Sequence, residues 1–183
     1  SPSVSGKYPD KLYVSGVVTG DVTINVGYKS AVVWDGSVSE SLSCAAEGNG
    51  AAGSKTNPYL VTSGADLAYI AEQSFQKNYG SGVYYKLTAD IDLANISWKP
   101  ICAAKGASWN YFLGDFDGNG HTIYNLKVDT KYKTAGLGLF GGVSGRVANL
   151  TVCGQITAQD RLGAVCYVRK GGTSDNVQAT LTS

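Results

Sequence analysis

Apolar residues in the second half of this chain recur in pairs separated by one residue, and each pair follows an asparagine. Asn125-Leu126-Lys127-Val128, Asn149-Leu150-Thr151-Val152 and Asn176-Val177-Gln178-Ala179 are three copies of the unit, 24 and then 27 residues apart. Between them Gly138-Leu139-Phe140-Gly141 is echoed by Gly163-Ala164-Val165-Cys166. Successive side chains of a strand point to opposite faces. Leu126 with Val128, Leu150 with Val152, and Val177 with Ala179 and Leu181 therefore each predict one apolar face. A period of this size, built from short β-type runs and glycine turns, predicts a solenoid whose stacked copies share an aliphatic interior. In that stack Asp117, Gly118, Asn119 and Gly120 make a tight turn, and Asn125, Asn149 and Asn176 make an amide ladder bonding neighbouring backbone.

Ahead of the repeats the pattern changes. Leu12-Tyr13-Val14, Val22-Thr23-Ile24-Asn25-Val26 and Ala31-Val32-Val33-Trp34 are short β runs cut by glycines, which predicts hairpins. The stretch from Ala45 to Thr56, rich in Gly, Ala, Ser and Asn, reads as a connection. The expected division is an N-terminal β segment or linker module at 1–50, either a small β module or an edge sheet leading into the coil, and the repeat domain at 55–183. The helix signal runs from Ala65 to about Gln76, with Ser63 as N-cap, Asp66 in the first turn, and Leu67, Ile70 and Ala71 on one face. A helix just before a β solenoid is expected to cover its open end, where apolar side chains and unpaired strand edges would otherwise meet water. The chain stops at Ser183 in or just after a strand with no evident cap. That end reads either as truncated or as a surface for self-association.

Composition narrows the function. Hydrophobic residues make up 43% and charged residues only 16%, with 24 glycines and 12 tyrosines, which reads as an all-β protein with many turns. A formal net charge of +1 argues against nucleic acid as a partner and against an electrostatic membrane anchor. No run approaches the roughly 18 apolar residues of a transmembrane segment. The four cysteines, Cys44, Cys102, Cys153 and Cys166, contain no CxxC spacing, so zinc is not expected. Cys153 and Cys166 could bridge adjacent copies, or all four could be buried thiols.

Each candidate for chemistry lacks a partner. Asp115-x-Asp117-Gly118-Asn119-Gly120 opens like a calcium loop, but the twelfth position holds Leu126 where an EF-hand needs glutamate. The lone His121 has only turn residues beside it, and a position on the surface of the coil is expected. Asp90 and Asp92 point the same way on a strand, and with Asp115 or Asp117 on a neighbour they could serve a glycosidase or lyase; an ordinary polar outer face explains them as well. No GxSxG or HExxH motif occurs. The expectation is therefore no catalytic residues, no metal and no cofactor. Trp109 and Tyr111, with Tyr132, are the candidate ligand-binding residues, because aromatic faces beside amides suit sugar rings. Trp98 and Phe112, close by in sequence, are expected in the core.

Several ordered segments together resemble a known group. Asn57-Pro58-Tyr59-Leu60, Leu67-Ala68-Tyr69-Ile70-Ala71, Tyr85-Lys86-Leu87-Thr88-Ala89-Asp90-Ile91-Asp92-Leu93, Trp98-Lys99-Pro100-Ile101, Phe112 to Ile123 and Gly138-Leu139-Phe140-Gly141 resemble the GLUG-motif family of bacterial surface and secreted proteins. Repeats of that family accompany some immunoglobulin A peptidases and many adhesin-like proteins. The resemblance spans about 55–183, and Gly163-Ala164-Val165-Cys166 departs from it by lacking the Leu-Phe pair. It implies a right-handed parallel β-helix, exported to the cell surface, in a non-catalytic adhesion or display role with a host glycan or protein as partner. A polysaccharide-active enzyme and a self-associating structural subunit are the competing expectations.

Overall fold

The computed structural model describes residues 3–7, 11–15, 30–44, 50–75, 79–103, 110–128, 137–156 and 173–181. Strands β1 (Ser3–Lys7) and β2 (Lys11–Ser15) form a two-stranded antiparallel sheet of their own. The remaining strands join in one ten-stranded sheet that is parallel at every pairing except one. The described chain is thus predominantly β, with a single helix among the described residues.

The pairing follows two rows. The first runs β5 (Tyr59–Val61), β6 (Tyr84–Leu87), β9 (Asp115–Asp117), the start of β11 (Arg146–Ile156) and β12 (Thr173–Leu181), every step parallel. The second runs β3 (Val32–Val33), β7 (Ile91–Asp92), β10 (Thr122–Val128) and the end of β11. Strand β8 (Ser97–Trp98) lies beside the end of β10, and β4 (Ser43–Cys44) closes the first row antiparallel to β5. Parallel neighbours need long connections; here Tyr59, Tyr85, Phe116 and Val147 are successive register partners.

Alternation places the core. In β6 and β9 the buried positions are Tyr85, Leu87 and Phe116, while Tyr84, Lys86, Asp115 and Asp117 lie on the other face. Ile91, Ile123 and Val152 form a second buried column. Between the columns, Phe112 and Phe140 meet at 5.2 Å and Phe116 and Phe140 at 5.4 Å edge-on. All three rings are fully buried, each contributing about 2–3 kcal/mol through apolar area alone. Trp98 and Phe112 are both in this core.

Helix α1 spans Gly64–Gln73, a shorter run than the hydrophobic pattern predicted. Its start is a reciprocal capping box: the Ser63 hydroxyl accepts from Asp66 N, and the Asp66 carboxylate accepts from Ser63 N at 3.1 Å. Its end is set at Ser74, whose hydroxyl donates to Ala71 O at 2.6 Å and so diverts the last turn. Leu67, Ala68, Ile70 and Ala71 join the same core as Val61 and Leu87.

The pairing bears on two sequence expectations. Residues 30–44, part of the expected N-terminal segment, join the edges of the main sheet: Val32 and Val33 pair with Ile91 and Asp92, and Trp34 packs edge-on against Trp98 at 5.6 Å. The glycine-rich stretch after Cys44 looked like a domain boundary because composition cannot report long-range pairing. The asparagine ladder also changes. Ala148 pairs with Asp175 and Leu150 with Val177, so Asn149 and Asn176 occupy matching positions. Asn125 does not join them, because Ile123 pairs with Val152 and Leu126 with Gly154 around a bulge. The residue that matches Asn149 in the preceding copy is Asn119, through Gly118 N to Ala148 O and Gly120 N to Asn149 O.

Candidate functional site

The polar side chains of this fold collect at its turns. Asn119, Asn125 and Asn149 all hold the left-handed backbone region, at φ near +52 to +54°, which asparagine tolerates because its short amide bonds locally. Each amide then reaches across one strand step. Asn149 Nδ2 donates to Asp117 Oδ1 at 3.0 Å, Asn125 Nδ2 to Asp92 Oδ1 at 2.8 Å, and Asn119 Nδ2 to Leu87 O at 3.1 Å. Asp92 also caps Ala94 N at 2.7 Å, and Asp117 accepts from Asn119 N at 2.9 Å. Carboxylates that looked available for catalysis are thus engaged in holding turns together.

His121 is the clearest departure from expectation. It is buried, and its Nδ1 lies 2.8 Å from Asp90 Oδ1, which also accepts from Thr122 N at 3.1 Å. The pair is 31 residues apart in sequence, one step of the parallel row, so neighbours along the chain could not reveal it. Buried beneath the surface, it has the geometry of an inter-strand clasp. Among the described residues no group of three or more His, Cys, Asp or Glu could hold a metal.

Of the predicted aromatic binding residues, Trp109 and Tyr132 lie outside the described residues. Tyr111 is half-buried and packs over Gly142, where an added Cβ would stand 2.9 Å from its ring. The two alternatives for Cys153 and Cys166, a bridge or free thiols, both turn on Cys166, which also lies outside the described residues. Cys102 is buried, its N–H donates to Ser74 Oγ at 2.8 Å, and burial pushes its thiol pKa up to about 12.

One polar cleft on the outer face escaped the sequence reading. Tyr84, Asp115, Arg146 and Thr173 are successive register partners on β6, β9, β11 and β12. They line a cleft of about 300 Å³ together with Ser144, Val83, Leu113 and the glycines Gly82, Gly114 and Gly145. Arg146 binds both neighbours: Nη1 donates to Asp115 Oδ1 at 3.1 Å, and Nε donates to Asp175 Oδ2 at 3.2 Å. Partial burial pulls the Arg146 pKa down, but Asp115 and Asp175 outweigh it and hold it above its ordinary value. The signal in the sequence was an acid and a base one strand step apart. It was hidden because the asparagine echo suggested a different alignment.

Comparisons with known proteins return no matching family model and no matching solved structure. Two relatives carry significant similarity. A putative Gly-rich membrane protein of Evansella cellulosilytica is 32% identical across 72% of this chain, and halomucin of Haloquadratum walsbyi is 34% identical across 68%. The matched region covers 15% of the first protein and 1% of the second, so the chain spans a small fraction of the relatives it resembles. No described helix is long and apolar enough to cross a membrane.

Proposed function

We propose that this chain is a non-catalytic module of an exported bacterial surface protein, folded as a right-handed parallel β-helix with α1 covering its first coil. The observation that carries the reading is the unbroken parallel row β5–β6–β9–β11–β12, whose successive partners Tyr59, Tyr85, Phe116, Val147 and Ser174 each lie one coil-length connection apart. A stack of this kind is stiff and extends by adding copies, which suits display or adhesion at a surface. The names of the two relatives, a Gly-rich membrane protein and a halomucin, support a place at the cell surface. So does the small share of each that the module covers, as expected of one unit within a long chain. Against catalysis stands the use of the polar groups: Asp92, Asp117 and Asn149 are engaged in turns, and His121 is buried against Asp90.

The test is protease shaving of intact cells of the source organism, with peptides of this module followed by mass spectrometry. Release from intact cells at the rate of known surface proteins is expected. Peptides that appear only after lysis would overturn the surface reading. Incubation of the purified chain with polysaccharides should generate no new reducing or unsaturated ends, and turnover that survives repurification would revive the enzyme alternative.

A further inference from the structure

We infer that the cleft along Tyr84, Asp115, Arg146 and Thr173 is a binding groove for a neutral linear polysaccharide. The inference rests on the surface-module reading for its setting, while the groove itself is argued from register. Because the four residues are direct partners on adjacent strands, their side chains repeat at the strand spacing of about 4.8 Å. Together they form a row about 14 Å long at that spacing, enough to follow a few sugar rings. An extended polymer lying across the strands meets one polar group at every step.

The chemistry of the row selects among polymers. Arg146 is flanked by two carboxylates, Asp115 and Asp175, so the charged cluster carries net negative charge. A polyanion would be repelled, whereas hydroxyl groups can bond to both signs. Paired carboxylate and guanidinium groups present acceptors and donors side by side, matching adjacent hydroxyls that both donate and accept. Asp175 is 60% exposed and Arg146 39%, so both can contact a ligand without leaving their ion pair. Half-buried Tyr84 offers a ring face at one end, of the kind on which the apolar face of a sugar packs.

A peptide is a poorer fit. Strand addition needs a free backbone edge, and within the groove β6, β9 and β11 are each paired on both sides. Part of the lining is bare backbone because the stack requires it: a Cβ on Gly145 would stand 2.2 Å from Gly114 O.

The experiment is calorimetric titration of the purified chain with cellohexaose, chitohexaose and a hyaluronan hexasaccharide. At least one neutral oligosaccharide should bind with a millimolar or tighter Kd, and hyaluronan should bind more weakly. Arg146→Ala and Tyr84→Ala should each weaken binding about tenfold or more, a loss of about 1.4 kcal/mol. Lys127→Ala, on the exposed face of β10, should leave it unchanged. Melting curves check that the variants fold, and if Arg146→Ala does not, Asp175→Ala at the rim replaces it. The proposal is overturned if no neutral probe binds, if hyaluronan binds tighter, or if the groove variants bind like the parent. None of these results bears on whether cells expose the module, so the two readings fail separately.

Discussion

Gly145→Ala is the substitution that most directly tests how tightly the parallel strands are stacked. Its φ lies outside the left-handed region, so the backbone itself would accept alanine. The obstacle is the neighbouring strand: the new Cβ would stand 2.2 Å from Gly114 O, 2.5 Å from Leu113 C and 2.7 Å from Leu113 O. Ordinary contact begins at 3.4 Å, so fixed backbone must retreat by about 1 Å at its closest point, an overpacking that costs about 1–3 kcal/mol. Two bonds in the path of that shift, Arg146 N to Gly114 O and Gly145 N to Phe112 O, are both 2.9 Å and contribute about 1 kcal/mol each. The expected loss is about 3–5 kcal/mol, or about 10 °C in Tm for a chain of this length. Gly120→Ala is the control. It has φ +75° and nothing within 4 Å of the added Cβ, so only the left-handed penalty of about 1–2 kcal/mol applies. Urea unfolding of both variants reads the difference. If Gly145→Ala costs less than Gly120→Ala, the stacking argument is wrong.

Further outcomes follow from the clasp, the cap and the thiols. His121→Ala should cost about 1–3 kcal/mol in urea unfolding, because it removes a bond from buried Asp90; a loss within error would refute the clasp. Asp66 is buried, which alone would raise its pKa, yet hydrogen bonds from Ser39, Thr62 and Ser63 hold it below the ordinary carboxylate value. Its contribution is therefore complete above the unfolded value near pH 4 and lost as pH falls through the lower folded value. Asp66→Asn should flatten that part of the acid limb of a stability–pH curve, and an unchanged limb would exclude the capping box as its source. With a pKa of about 12, only about one Cys102 thiol in ten thousand is ionised at pH 8. Iodoacetamide should thus label half-buried Cys44 in the native protein and Cys102 only on unfolding, as peptide mapping would show.

Local pattern was enough for the class and several elements. Alternation in Thr122–Val128 and Arg146–Ile156 marked strands, because the two faces of a strand differ in what they can bury. Ser63 and Asp66 marked the helix start, because capping is a matter of residues three apart. Glycine and asparagine marked the turns, because few other residues accept positive φ. All of these signals act within a few residues, which is why composition and spacing carry them.

Register was not legible, and the site depends on it. Aligning the asparagines set Asn125 against Asn149, a fair guess from identity alone, but Thr122 pairs with Thr151 and Leu126 with Gly154, a longer offset that leaves Asn119 beside Asn149. That offset decides which side chains become neighbours: His121 with Asp90, and Arg146 with Asp115 and Asp175. Long-range pairing also brings Val32–Val33 into the sheet beside Ile91–Asp92, across a stretch that composition marked as a boundary. The chain by itself determined that strands, turns and one capped helix would form, since those follow from short-range sterics and amphipathicity. Only the tertiary structure decided which strand faces which, because parallel pairing joins residues some thirty positions apart, and there the total packing energy of the core selects the register.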